Sequence, residues 1–327
     1  MQAIKGKQSE TRAHLSLLLA SLIAGFSFPA VGLISEGLPP LTLTALRFAI
    51  AALAILPLTL RFTERRPTPA GFAIYLLLGL SYAAFFGTMF WAAHHTSPLS
   101  MATIYICVPL VAYLLGRVFA VEKSSPRLIA ILLTGALGAI GLIWAESLGN
   151  TQGLAYGTAE LAYLAACVGI ALYPVLTKIG LNRNWISTRA ELRTFWGLCS
   201  GSVVTATIAM FVESPVALLA MTRRDVLVVV YLAIFSSAFT FWLSQRAVAV
   251  LTPGAVTAYG YLSPFVAMLL LFITEPDAIS MRWVPGSLLI ITAIALLLRG
   301  PRTPNTTQQP VDRIAVSATA LRSGSCS

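Results

Sequence analysis

The sequence predicts an all-α membrane protein: ten transmembrane helices built as two inverted five-helix repeats. Three observations carry that expectation. Of the 327 residues, 57% are hydrophobic and only 10% charged, with a mean hydropathy of +0.82, whereas a soluble chain carries roughly a quarter charged residues. Apolar runs close to the ~20 residues needed to cross a bilayer recur along the chain, joined by short, proline-rich connections. Finally, one stretch occurs twice. Residues 97–115, SPLSMATIYICVPLVAYLL, align without a gap with residues 252–270, TPGAVTAYGYLSPFVAMLL, at a constant offset of 155. Six of the nineteen positions are identical, among them both prolines, Pro98/Pro253 and Pro109/Pro264.

The ten apolar runs cover residues 13–34, 40–60, 70–91, 97–117, 127–145, 153–177, 191–212, 224–244, 252–274 and 283–299. Lys5, Lys7 and Arg12 precede the first, but it is too long for a signal-peptide core and lacks a small-x-small cleavage site, so it reads as an uncleaved helix. The connections contain Pro39-Pro40, Pro67 to Pro69, Ser124 to Pro126 and Glu275-Pro276. Each duplicated run opens on Ser-Pro or Thr-Pro, a capping residue before a proline that loses no helical donor. Each carries a second proline eleven residues on, where it removes a backbone bond and kinks the helix. Residues 1–12 form a short N-terminal segment, and residues 300–327 a polar, aperiodic tail expected to be disordered.

Charge sets the expected orientation. With both ends on the inner side, seventeen Lys and Arg fall on inner segments, and only Arg223, Arg224 and Arg282 on outer loops. The expected location is the plasma (inner) membrane, multi-pass, with both termini cytoplasmic. The net charge of +10 is spread in short clusters between apolar runs, which suits topology control and lipid headgroups rather than nucleic acid. Residues 13–145 and 153–299 form the two halves. An odd number of spans in each half inverts one against the other and places a shared cavity at the centre.

Several stretches together resemble a known family. Residues 39–48, PPLTLTALRF, followed by an alanine-rich span, are similar to the second helix of EamA-type carriers of the drug/metabolite transporter superfamily. The SP(x)10P helix ending in Val121-Glu122-Lys123, and the Gly135/Gly138/Gly141 helix after it, fit the same pattern. The resemblance covers residues 13–299. It implies ten helices, cytoplasmic termini, a central cavity, and commonly export of amino acids or other small metabolites. The chain departs from the pattern at Phe26 and Phe28, where many members have Trp-Gly. It departs again at Glu275-Pro276-Asp277, which replaces the acid-basic helix end.

Candidate functional residues follow from cost. Ionisable groups inside a membrane are expensive and usually functional. Arg47, about two turns into the second span, is a candidate anchor for a substrate carboxylate, or else a structural arginine that caps a helix junction. Arg193 invites the same pair of readings, and Glu191 reads as a surface partner of Arg189. In the third span Ser81, Phe85, Thr88 and His95 share one helical face with Trp91 beside it. In the eighth, Ser237, Thr240 and Ser244 do so, flanked by Trp242 and Gln245. Such stripes face a cavity or pack helix on helix. Tyr105, Tyr163 and Tyr259 complete the substrate-contact candidates. Pro109 and Pro264 are the gating candidates.

Glu160, about two turns into the sixth span and on a face with Tyr156, Tyr163 and Cys167, is the candidate coupling residue, its ligand a proton. The alternatives are that it meets outer-side water or pairs with Arg47. Cys107, Cys167, Cys199 and Cys326 show no metal-ligand spacing, and no hydrolase, kinase or nucleotide-binding motif occurs, so no metal, cofactor or enzyme activity is expected. The expected function is an alternating-access carrier of a small metabolite, working as a monomer or homodimer in the lipid bilayer. A flippase of a lipid-linked substrate and an intramembrane enzyme are the alternatives.

Overall fold

A computed structural model describes residues 2–63, 66–93, 95, 96, 101, 104–147, 157–263, 265, 266, 269 and 281–299. Its helices are α1 (Gln2–Gly25), α2 (Ser27–Gly32), α3 (Pro40–Thr59), α4 (Pro69–Tyr82), α5 (Thr88–Ala92), α6 (Cys107–Val118), α7 (Pro126–Ser147), α8 (Thr158–Asn182), α9 (Ala190–Val212), α10 (Arg223–Ala233), α11 (Thr240–Val250), α12 (Pro253–Ala258) and α13 (Trp283–Leu298). No strand occurs among the described residues. Six stretches are long and apolar enough to cross a membrane: Ser9–Gly32, Pro40–Thr59, Pro69–Ala92, Thr158–Asn182, Ala190–Val212 and Arg223–Val250. Shorter apolar helices occupy the expected fourth, fifth and tenth spans, and the expected ninth is described only in part. Length and composition alone therefore support six crossings among the described residues.

The helix starts are written locally. Pro40, Pro69, Pro126 and Pro253 each open a helix, where the missing N–H has no partner to lose. Thr68 Oγ1 accepts from Gly71 N at 3.0 Å, and Thr222 forms a capping box with Asp225. Contacts between the halves are added on top. Glu213, just after α9, accepts from the first free amides of α3, Leu41 N and Thr42 N, both at 2.8 Å. Asp225 accepts from Ser35 N at 2.9 Å.

The contact pattern is itself two-fold. The second helices of the halves pack on each other (α3 with α9), as do the fourth (α6 with α12) and the fifth (α7 with α13). The first helix of one half packs on the third of the other, α4 with α8 and α1 with α11. Exchanging the halves maps this set onto itself. Glycines allow the closest crossing: a Cβ on Gly286 would meet Gly138 O and Leu142 N of α7, both at 2.7 Å.

Two helical interruptions recur in both halves. A π turn replaces α-helix at Ala83–Gly87 and at Ile234–Phe239, in the third helix of each half. The fourth helix breaks at Ile106, and its counterpart tightens into 3₁₀ geometry at Tyr259–Tyr261, which is 153–155 residues on. Pro109 explains the first break, because it cannot donate to the Tyr105 carbonyl four residues back. Pro264 lies outside the described residues.

Candidate functional site

A cavity of about 150 Å³ lies where the halves meet, lined by residues of the first, third and fourth helices of each. One wall is aromatic. Tyr82, Phe86, Tyr173 and Phe241 form a connected cluster, with Tyr82 and Phe241 ring centroids 4.9 Å apart and Phe86 and Phe241 5.6 Å apart. The other wall carries hydroxyls: Ser21, Ser27, Ser236, Thr240, Ser244, Thr257 and Ser263. No charged side chain lines it among the described residues.

Each π turn contributes to the lining. An extra residue per turn shifts the face that a helix presents. In the first half Phe85 and Phe86, neighbours in sequence, are both buried toward the cavity. In the second, Ser236 faces the cavity while its neighbour Ser237 turns to Arg47.

Arg47 stands behind the hydroxyl wall with 0% exposure. Its Nε donates to Ser237 Oγ at 2.7 Å, and Nη2 donates to Ser236 Oγ at 3.1 Å and Ser236 O at 3.3 Å. The guanidinium lies 4.7 Å from the Phe86 ring centroid. Its Nη1 is buried and makes no hydrogen bond. Ser236 Oγ also bonds Ser27 Oγ, so this cavity hydroxyl is fixed from both sides. Arg193 is saturated by contrast: Nε donates to Gln245 Oε1 at 2.9 Å, Nη1 to Ser187 O at 2.8 Å, and Nη2 to Gln245 O.

Of the sequence-derived candidates, Phe85, Tyr105, Thr240 and Ser244 line the cavity. The remaining candidates lie elsewhere. Ser81 donates back to Leu77 O at 2.9 Å, and Thr88 is half-buried outside the lining. Trp91 stacks on His95 at 4.7 Å. Tyr163 packs behind the wall against Phe85, ring centroids 5.8 Å apart. Tyr259 bonds His14 Nδ1 through its hydroxyl at 2.8 Å. Trp242 Nε1 donates to Glu191 Oε1 at 3.2 Å with Arg246 over its ring, which also replaces the expected Glu191–Arg189 pairing.

Glu160 needs the largest correction. The helix begins at Thr158 rather than near 153, so Glu160 sits in its first turn and not two turns deep. Its Oε2 accepts from Gly157 N at 2.7 Å, and its Oε1 accepts from the Thr96 hydroxyl. A helix start leaves amides unpaired, and an acid at the third position satisfies one of them. Sequence reading missed Tyr82, Phe86, Ser27 and Ser236. The paired serines Ser236-Ser237 were the available signal, but a 3.6-residue period selects only Ser237.

The family profile described as EamA-like transporter family matches residues 11–144 and 157–299, one match per half. The chain is 25% identical over 258 residues to the "Uncharacterized inner membrane transporter YedA" of Escherichia coli K12, covering 78% of this chain and 80% of that one. It is 29% identical over 299 residues to the "Probable terminal-alkyne amino-acid exporter" of Streptantibioticus cattleyicolor, covering 88% and 94%. A solved crystal structure superposes with a TM-score of 0.69 at 21% identity, over 89% of this chain and 98% of that one, a likeness of fold.

Proposed function

Because the chain belongs to the EamA-like transporter family, matched over both halves, we propose that it exports a small amphipathic solute bearing a carboxylate, amino acids being the favoured class. The observation that carries this reading is the cavity shared by the halves, apolar and aromatic on one side and hydroxylic on the other. Arg47 stands behind the hydroxyls with an unused donor. A buried guanidinium without an acid among its bonded partners favours an anionic group nearby, and the aromatic wall suits an apolar side chain. The relative named as an amino-acid exporter agrees with this class.

In this reading the halves rock about the cavity, and the break before Pro109 lets α6 change its packing. Glu160 serves as a helix cap, since both its oxygens are engaged at the start of α8. The inner membrane is the proposed location, by analogy with YedA.

The test is uptake into everted vesicles and proteoliposomes across amino acids, nucleosides and cationic drugs. Saturable movement of carboxylate-bearing amphipathic solutes, lost in Arg47→Ala, is the expected result. Transport confined to cationic drugs, or chemical conversion without movement, overturns the reading.

A further inference from the structure

The connection between α6 and α7 carries a buried acid that the cavity does not use. After Val118 the chain turns through Ala120 at φ 54°, and Glu122 folds back to donate its amide to Gly116 O at 3.0 Å. Its side chain is then only 4% exposed. Oε2 accepts from Gly254 N, in the first turn of α12, at 2.8 Å. An acid at the end of one fourth helix thus holds the start of its counterpart in the other half. The partner oxygen, Oε1, is buried without a hydrogen bond.

The groups around this carboxyl are few. Lys178 faces it from α8, Arg117 from α6, and Lys123 follows it in the chain; Tyr113 of α6 and Thr252 are the neutral neighbours. Lys178 Nζ is directed to the carbonyls of Val248, Ala249 and Leu251 at 3.1, 3.3 and 3.2 Å, closing the end of α11. Arg117 Nη1 reaches the backbone oxygen of Glu122 at 3.4 Å. Both cations act on the carboxylate through space, and one of its oxygens has no donor at all. A charged carboxylate buried in that state is costly, and a bound proton removes the cost. Burial accordingly raises its pKa above the ordinary carboxylate value, with Thr252, Gly254, Lys178 and Arg117 pulling less strongly the other way.

We propose that Glu122 is a proton-binding latch: the proton is held while α6 and α12 are in contact and the cavity is shut toward the Arg117 and Lys178 end, and it is released to water when that end opens. The direction follows from linkage. A hydrated carboxyl in the open state has the ordinary value, whereas the closed state binds the proton more tightly. Acid pH therefore favours closure, and closure weakens as pH rises through the raised value. On the carrier reading above, closing that end takes one proton from the water on that side and opening it returns the proton, so the latch sets the pH dependence of opening without itself carrying a proton across.

The test uses the full chain with its four cysteines replaced and Thr257→Cys as a reporter in the cavity lining. A membrane-impermeant maleimide is added to everted and right-side-out vesicles, and rates are divided by those of the unfolded chain at the same pH. From the Arg117 side, labelling should fall at least fivefold between pH 8 and pH 5. Glu122→Gln, which mimics the protonated form, should label slowly at every pH, and Glu122→Ala rapidly at every pH. A slope that survives both substitutions, or labelling that quickens toward acid, overturns the latch. If Glu122→Gln does not reach the membrane, Glu122→Asp, one methylene short of Gly254, must move the midpoint; an unmoved midpoint overturns it equally. Labelling needs no substrate, so a chain that transports nothing yet keeps this slope loses only the carrier reading.

Discussion

Arg47 and Arg193 sit on the second helix of their respective halves, and both are buried, yet they are wired differently. Arg193 has every nitrogen bonded, to Gln245 and Ser187. Arg47 keeps Nη1 free beside the cavity hydroxyls. Strict two-fold symmetry would have Arg193 hold the third helix of the first half as Arg47 holds that of the second. The two turns differ in composition: the first is Ala-Ala-Phe-Phe-Gly, with no polar side chain, while the second contains Ser236 and Ser237. Duplication thus preserved the frame, while the two π turns diverged: the first contributes Phe85 and Phe86 to the cavity lining, and the second contributes Ser236. Arg193 has all its donors on protein acceptors, whereas Arg47 keeps one donor unused.

The largest expected effect separates the two arginines. Arg193→Ala strands several buried acceptors, each worth about 1–3 kcal/mol when unpaired, and should lower the melting temperature in detergent sharply together with membrane yield. Arg47→Ala should cost less stability and abolish transport; equal loss of stability with transport retained in the folded fraction would make both arginines structural. Next comes the glycine crossing between α7 and α13. Gly286→Ala drives a Cβ to 2.7 Å from backbone atoms and should cost about 1–3 kcal/mol by overpacking. Gly141→Ala, whose nearest neighbour would be Gly286 Cα at 3.4 Å, should be tolerated in the same thermal assay.

Within the hydroxyl wall the contrast is finer. Ser236→Ala should raise the apparent KM roughly tenfold, equivalent to about 1.4 kcal/mol, with stability little changed. Ser237→Ala should destabilise without a comparable rise in KM. If the two serines behave alike, the π turn does not divide their roles. The smallest effect on stability belongs to Pro109→Ala, which restores a donor to the Tyr105 carbonyl. Its melting point should move little, while turnover falls more than substrate binding.

Legibility in the sequence tracked the range of the interactions involved. Pro40, Pro69, Pro126 and Pro253 marked helix starts, and the Gly135/Gly138/Gly141 helix contains the glycines of the α7–α13 crossing. Phe85, Tyr105, Thr240 and Ser244, singled out in the sequence, do lie in the cavity lining. Ser81, Thr88 and Trp242 lie outside the lining, and a uniform 3.6-residue period cannot register the π turns in their helices. Glu160 was placed too deep because its helix starts five residues later than hydropathy suggests, at an acid-capped turn.

The sequence by itself determined the membrane class, the duplication and the sites where helices start or break, since composition, repeats and prolines act on neighbours in the chain. Only the tertiary structure decided which hydroxyl faces the cavity, which arginine keeps a free donor, and which acids join the halves. Ser237 meets Arg47, and Gly254 meets Glu122, across 190 and 132 residues respectively. Such bonds depend on the packing of whole helices, and no local period encodes them.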